Sequence, residues 1–373
     1  MKKMKKAILV FFGSLFVMLF SGCGRSDGEL PYLAIGYMFS NHQASLMVAA
    51  QMGELFADYG VYLREVLPRE RYVLVVDGAD AANIHTVVAN NGGEVMTLMS
   101  QGHVQMALTS IGLPFGQIDQ GEPMSILGPI HVDGVALIGA NHLPVHDFDG
   151  FLDYVRGQNQ PVHIGYHSPA NAPVIIFEET MRYLGFTITR NPLDFDADIL
   201  LINLRGTANL IPSLHSGEVV AWVGPSPFPE LAILQGDGRL IIDLKYLPGG
   251  QWTDFPCCVF SVSDATLQEH RDIVVAFYDL LRVASVFANA EPEIAGQIVS
   301  DWMGIDVRAA ANTMTIFTTE ITENWLQHSE LIFTVLQENG TLQSSLANMD
   351  FNEASGILFD LSIANQVHGC CGY

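Results

Sequence analysis

Two adjacent thiols, Cys257-Cys258, and a second adjacent pair, Cys370-Cys371, are the most reactive groups in this chain of 373 residues, and His368 stands just before the second pair. A fifth cysteine, Cys23, lies far from both. Four thiols can be joined as disulfides in three ways, and an oxidising compartment favours that outcome. With an imidazole beside them they can instead hold a soft metal ion. The spacing does not follow a C-x2-C zinc pattern, so disulfide and metal site both stand as expectations for Cys257, Cys258, His368, Cys370 and Cys371. No nucleophile, base and orienting group can be picked out elsewhere. An enzyme is therefore not expected, and no cofactor is implied.

Hydrogen-bonding chemistry is offered by several polar loops. Ser40-Asn41-His42-Gln43 precedes an apolar helical stretch, Thr109-Ser110 leads into Ile111-Gly112, and Ser168 and Asn171 flank Pro169-Ala170 before Pro173. At such places a side chain can contact a bound molecule or merely cap a helix. The cluster at 39–43 is larger than one cap needs, and the small residues at 109–112 admit close backbone approach. His131 closes the stretch Gly128-Pro129-Ile130-His131 and reads either as a ligand or as a satisfied structural residue. Basic side chains are scarce here. Arg205 is the one nearby candidate, although a guanidinium fork is the usual partner of an oxyanion. That favours a neutral, aromatic or cationic bound molecule.

The elements that must position these residues alternate between short apolar strands and amphipathic helices, the pattern of an α/β fold. YLAIGY at 32–37 is a strand, residues 44–58 a helix with Gly60 as its left-handed stop, and YVLVV at 72–76, MALT at 106–109 and VALIG at 135–139 continue a first sheet. A second alternation begins after residue 140. It comprises a helix at 151–155, a strand at 162–165, a helix at 172–184 with Pro173 in its first turn and Gly185 at its end, and strands at 199–204 and 219–223. LPGG at 247–250 marks the exit. The chain returns through CCVFSV at 257–262 and is then mostly helical, with Ile273, Phe277, Leu280, Leu281, Ala284 and Phe287 forming a core stripe over 271–288. One lobe is thus built from both ends of the chain, residues 31–140 and 252–373, and a second, 141–251, is inserted between them.

Residues 1–22 have the form of a secretory leader: lysines, the apolar run at 7–20, then small residues. The run is shorter than the ~17–25 residues of a membrane span, and no second stretch approaches that length. LFSGC at 19–23 resembles the bacterial lipobox, with Phe20 where Leu is usual and Leu19 one place earlier. The resemblance implies a lipid on Cys23 and a linker at 23–30, hence a protein held to the outer face of the cell membrane by its N-terminal anchor. The net charge is −23, and the leader removes four lysines. Such a field disfavours nucleic acid and anionic lipid as partners.

Four stretches, in order, resemble the solute-binding proteins of ABC importers, specifically the nitrate, sulfonate, taurine and thiamine-precursor group. They are GYMFSNHQASLMVAAQMGELFADYG at 36–60, GEVMTLMSQGHVQMALTS at 93–110 (Gln105 standing where the family commonly has Asp), GEPMSIL at 121–127 and LHSGEVVAWVGP at 214–225. The resemblance implies a two-lobed, type II periplasmic-binding-protein-like clamp, each lobe a mostly parallel sheet flanked by helices, with a helical C-terminal region. A small organic solute would bind in the cleft, hinge closure would bury it, and a membrane permease would receive it. It also places Ser226, in Gly224-Pro225-Ser226-Pro227, on the cleft beside Ser40, Asn41, His42, Gln43, Thr109, Ser110, His131, Ser168 and Asn171. A competing resemblance rests on PCCVF at 256–260, which stands where the pyrimidine-precursor synthases carry a cysteine-rich segment. It would make the chain an enzyme of that type, while a third possibility is a metal-binding receptor using the Cys and His residues.

Overall fold

The computed structural model describes residues 29–169, 171–248 and 252–369. The stretch read as a leader, Cys23, the glycines of LPGG and the Cys370-Cys371 pair lie outside these. Among the described residues, fourteen strands form two sheets. The first half of the chain supplies β1 (Tyr32–Met38), β2 (Val61–Leu67), β3 (Arg71–Val76), β4 (Ala79–Ala89), β5 (Met106–Ser110) and β6 (Met124–Asp133). The middle supplies β7 (Val135–Ala140), β8 (Val162–Tyr166), β9 (Ile188–Thr189), β10 (Ile199–Asn203), β11 (Ala221–Pro225) and β12 (Gly238–Asp243). After it come β13 (Pro256–Ser263) and β14 (Thr315–Phe317). One sheet runs β14-β6-β13-β5-β1-β4-β3-β2 and the other β12-β7-β11-β8-β10-β9.

This is the two-lobed α/β architecture that the resemblance implies. The second sheet is parallel across β11-β8-β10-β9. The first is parallel at its centre, β4-β1-β5, and antiparallel toward both edges, because β2, β3 and β4 follow one another through tight turns and β13 returns antiparallel between β5 and β6. Four-residue or shorter connections permit only antiparallel neighbours, since a parallel pair needs a crossover.

Three local expectations change. VALIG at 135–139 is a strand, but it pairs with β11 and β12 in the second sheet. The chain therefore crosses between lobes at Asp133-Gly134, before VALIG rather than after it. Both crossing residues have left-handed backbone, φ 59° and 77°, and a Cβ on Gly134 would run into the Thr315 side chain and lie 3.0 Å from its Cα; only glycine fits. Second, the helix expected over 44–58 runs as Ala44–Met52 and then tightens to a 3-10 segment, Gly53–Tyr59, because Gly53 takes φ 50°. Third, the helix Asp264–Ala290 is long and apolar enough to cross a membrane by length and composition. Its apolar stripe is nevertheless spent on the core, with Val274, Phe277, Tyr278 and Leu281 fully buried.

The first lobe's core gathers Tyr37, Phe115, Phe260 and Trp325, and part of the second packs around Trp222, Leu210 and Ile138. The two strands that carry the chain out of and back into the first lobe, β6 and β13, are neighbours in the sheet. Their ends next to the second lobe are where the polar residues collect.

Candidate functional site

In a regular strand, successive side chains point to opposite faces, so adjacent cysteines should part. Here β13 slips register against β6 between Pro256 and Cys258 and again between Cys258 and Val259. A bulge of this kind re-aims side chains, and both thiols reach one place. On β6 the residue paired with Cys258 is His131, and on β5 it is Ser110. His42 arrives from the 3-10 turn Asn41–Gln43 that follows β1, a turn capped by Ser40 Oγ accepting from His42 N at 3.2 Å.

These pieces converge on one buried cluster. The rings of His42 and His131 lie 4.2 Å apart, and Cys257 Sγ is 3.6 Å from His42 Nδ1. One donor atom from each of His42, His131, Cys257 and Cys258 lies within 4.8 Å of all the others. His42 Nε2 is 3.0 Å from Gly134 O. A carbonyl can only accept, so Nε2 carries the proton. Gln43 closes the side: its amide nitrogen suits Ser40 O and Met38 O, which turns its carbonyl oxygen toward Cys258 Sγ.

Burial lowers the pKa of His131, as the neighbouring His42 also does, and keeps it neutral. In the thiol pair, burial alone would oppose charge on Cys258. The Cys257 thiol hydrogen-bonded to it, together with His131 and His42, nevertheless holds its pKa well below that of a free thiol. Cys257 is pushed well above, first by that same hydrogen bond and then by burial. Neither cysteine is in a disulfide with a described residue.

The second lobe contributes His167 and Asn171 from the segment after β8. Asn171 makes no side-chain cap to the helix Ala172–Tyr183; its Nδ2 donates instead to His167 Nε2 at 2.8 Å. Asn171 Oδ1 and His167 Nδ1 are buried without partners. Burial, and after it the neighbouring His42, brings the His167 pKa down to about 4.

Hydrogen bonds tie the lobes together beside this cluster. Ser40 Oγ donates to Ser226 O at 3.1 Å, and Ser226 N donates to Gly134 O at 2.9 Å. Ser226 Oγ donates to Glu230 Oε1 at 2.7 Å, and the same oxygen accepts from Met314 N at 3.1 Å. Glu230 is almost wholly buried, and burial raises its pKa.

Ser40, His42, Gln43, Ser110, His131 and Asn171 are thus gathered around the crossing, with Ser226 as a lobe-to-lobe contact. Four expected residues stand apart. Thr109 turns toward Gly92 on the other face of β5. Asn41 borders a small internal void with Gly296, Thr313 and Phe317. Ser168 is half-buried and donates to Pro169 O at 3.3 Å. His368 is exposed, beside Thr319 Oγ1, and does not join Cys257 and Cys258. Sequence reasoning did not select Asp133, Gly134, His167 or Glu230. Only His167 left a signal, since it occupies the same loop as Ser168 and Asn171.

The NMT1-like family model matches residues 26–301. The chain is 33% identical over 141 residues to the uncharacterized protein MJ1180 of Methanocaldococcus jannaschii, a span of 37% of this chain and 96% of that protein. Among solved structures it is similar to a ligand-binding component of an ABC-type import system from Staphylococcus aureus, determined with zinc bound, at a TM-score of 0.68 and 15% identity over 90% of this chain and 99% of that one. It is also similar to the periplasmic nitrate-binding protein NrtA from Synechocystis PCC 6803 (TM-score 0.67, 14% identity, 92% and 90%). The aliphatic sulphonate-binding protein SsuA from Escherichia coli gives 0.62 and 14% over 86% and 96%. At such identities the likeness is one of fold.

Proposed function

The chain belongs to the NMT1-like family, and from that premise we propose that it is the solute-binding component of an ABC importer, working outside the cytoplasmic membrane. A single observation carries this: polar side chains from both lobes, His131 and Ser110 from one and His167 and Asn171 from the other, are buried with hydrogen-bonding atoms unpartnered. Each such atom costs roughly 1–3 kcal/mol if it stays unpaired. Groups of this kind at facing ends of two lobes are what a ligand would satisfy. Closure of the lobes about the Asp133-Gly134 crossing would then bury the solute, and a permease would take it from the closed form. The lobes are taken as 31–133 with the return segment, and the inserted portion between the crossings.

Direct contact is assigned to Ser110, His131, His167 and Asn171, with Ser40 and Ser226 joining the lobes around them. No lysine or arginine lies among these residues, which fits a neutral or cationic solute better than nitrate or a sulfonate. The leader and Cys23 supply the address, as a lipid-anchored protein with residues 23–30 as its leash.

Native mass spectrometry of the mature chain, with the released molecule identified, tests the proposal. A retained small molecule that Asn171→Ala and Ser110→Ala both release supports it. Chemical turnover of that molecule, or undiminished binding in both variants, overturns it. Replacing Cys23 with Ala should move the protein from the detergent phase to the aqueous phase on cell fractionation; an unchanged distribution rejects the anchor.

A further inference from the structure

We propose that His42, His131, Cys257 and Cys258 form a four-coordinate site for a divalent, thiophilic transition-metal cation of the zinc type. The inference deepens the proposed solute-binding function. It rests on that function for delivery of the cation to a permease, while the site itself stands on the geometry of the first lobe.

The donor set is the first argument. Two thiols and two imidazoles in tetrahedral reach are the ligands of zinc and of similar borderline ions, whereas calcium and magnesium take oxygen. In such a site, neighbouring donors lie roughly 3.3–3.8 Å apart, given metal–nitrogen and metal–sulfur bonds of about 2.0 and 2.3 Å. The four donors here lie within 4.8 Å of one another, and Cys257 Sγ and His42 Nδ1 already stand 3.6 Å apart. Small side-chain rotations would complete the tetrahedron.

The second argument concerns orientation. A metal-bound histidine usually donates its other N–H to a carbonyl or carboxylate, which fixes the ligating nitrogen. His42 does this, because its Nε2 donates to Gly134 O at 3.0 Å and leaves the Nδ1 lone pair facing Cys257. His131 Nε2 is fully buried and makes no hydrogen bond of ordinary geometry. An inert core would not strand an imidazole nitrogen beside two thiols, since an unpaired buried polar atom is costly. The β13 bulge is the third observation. It aims both adjacent cysteines at one point, which ordinary strand packing of two small apolar residues does not require.

Charge selects the valence. Both sulfurs bind as thiolates, any thiol proton still present leaving to solvent, and two thiolates cancel a divalent cation, so the buried centre is neutral. No oxidation or reduction is involved. A neutral centre avoids the large cost of a buried net charge. All four ligands belong to the first lobe, so loading does not wait for closure. His167 faces the cluster from the second lobe, and Gly134 O joins the ligand His42 to Ser226 N, which places the bound cation at the crossing between lobes.

The test uses the whole chain without its leader, reduced and freed of metal, titrated with Co2+ and then Zn2+. One Co2+ per chain should produce a thiolate-to-cobalt charge-transfer band and the intense visible bands of a tetrahedral centre, and one equivalent of Zn2+ should remove them. Cys258→Ser and His131→Gln should each weaken Zn2+ binding by more than about 100-fold, beyond what loss of a supporting group costs, with far-UV circular dichroism confirming the fold. The wild-type cobalt spectrum decides even if a variant fails to fold. Absence of the charge-transfer band, or bands unaltered in both variants, overturns the site. Failure of the cleft's function is distinguishable: an organic solute bound by protein that gives no charge-transfer band leaves the binding-component proposal standing while the metal site falls. Stoichiometric Zn2+ binding by a protein that no permease requires for uptake gives the reverse.

Discussion

Glu230 measures what holds the two lobes together. Its Oε1 accepts from Ser226 Oγ at 2.7 Å and from Met314 N at 3.1 Å, the first within the inserted lobe and the second across to the other. Replacing Glu230 with Ala removes the one acceptor of both donors in a buried place. Each stranded donor costs about 1–3 kcal/mol; only Met314 N bonds across the lobes, so the joined arrangement should weaken by about 1–3 kcal/mol, the Ser226 bond being lost within the inserted lobe itself. Where binding needs the joined form, apparent solute affinity falls by the same factor, at least about 5-fold. Glu230→Gln keeps a carbonyl oxygen for both donors and should restore binding. It also removes a titration. The folded pKa of Glu230 is raised, by burial first, with the Ser226 and Met314 hydrogen bonds opposing. A raised carboxyl contributes its full stability below the ordinary carboxylate value and loses it as pH climbs through the raised value. The wild-type lobes should therefore separate more readily at neutral than at mildly acidic pH, and the Gln variant should lack that dependence. Small-angle scattering with solute titrations at several pH values reads both effects. An Ala variant that binds and scatters like the wild type, or a Gln variant as weak as Ala, would refute the account.

Two further outcomes follow from single residues. Asp119 is buried and accepts from the backbone N–H groups of Gln343, Ser344 and Leu346; Asp119→Ala should destabilise the segment after the helix Glu323–Glu338 by about 3–5 kcal/mol, seen as faster amide exchange over 340–350, and unchanged exchange there would count against it. Gly134→Ala meets both a left-handed φ of 77° and the Thr315 wall. It should cost about 2–4 kcal/mol in thermal or urea unfolding, and a variant as stable as the wild type would show that the crossing can relax.

Most of the strands were legible because apolar runs such as YLAIGY and YVLVV can be buried in few other ways. VALIG was legible as a strand but not as a member of the second sheet. An apolar run carries no label for the sheet it joins, and the crossing is set by the Asp133-Gly134 backbone and its fit against Thr315. The candidate site divided in the same manner. Ser40, His42, Gln43, Ser110, His131 and Asn171 were visible as polar residues at strand ends or before helices. Asn41 and Thr109 had the same local pattern, and their side chains turn elsewhere because alternation along a strand or turn sends neighbours to different faces.

Composition and order by themselves determined the acidic character, the α/β alternation and the division into an interrupted lobe and an inserted one, since these follow from charge and from the hydrophobic period along the chain. Which cysteines and histidines meet was decided only in three dimensions. His42, His131 and Cys257-Cys258 are far apart in sequence, and they converge because β6 and β13 pair in one register, a bulge breaks the alternation of β13, and β1 delivers His42 to the same sheet end. His368, which stands beside two cysteines in the chain, is left out of that cluster for the same reason: proximity along a chain says little about proximity across a sheet.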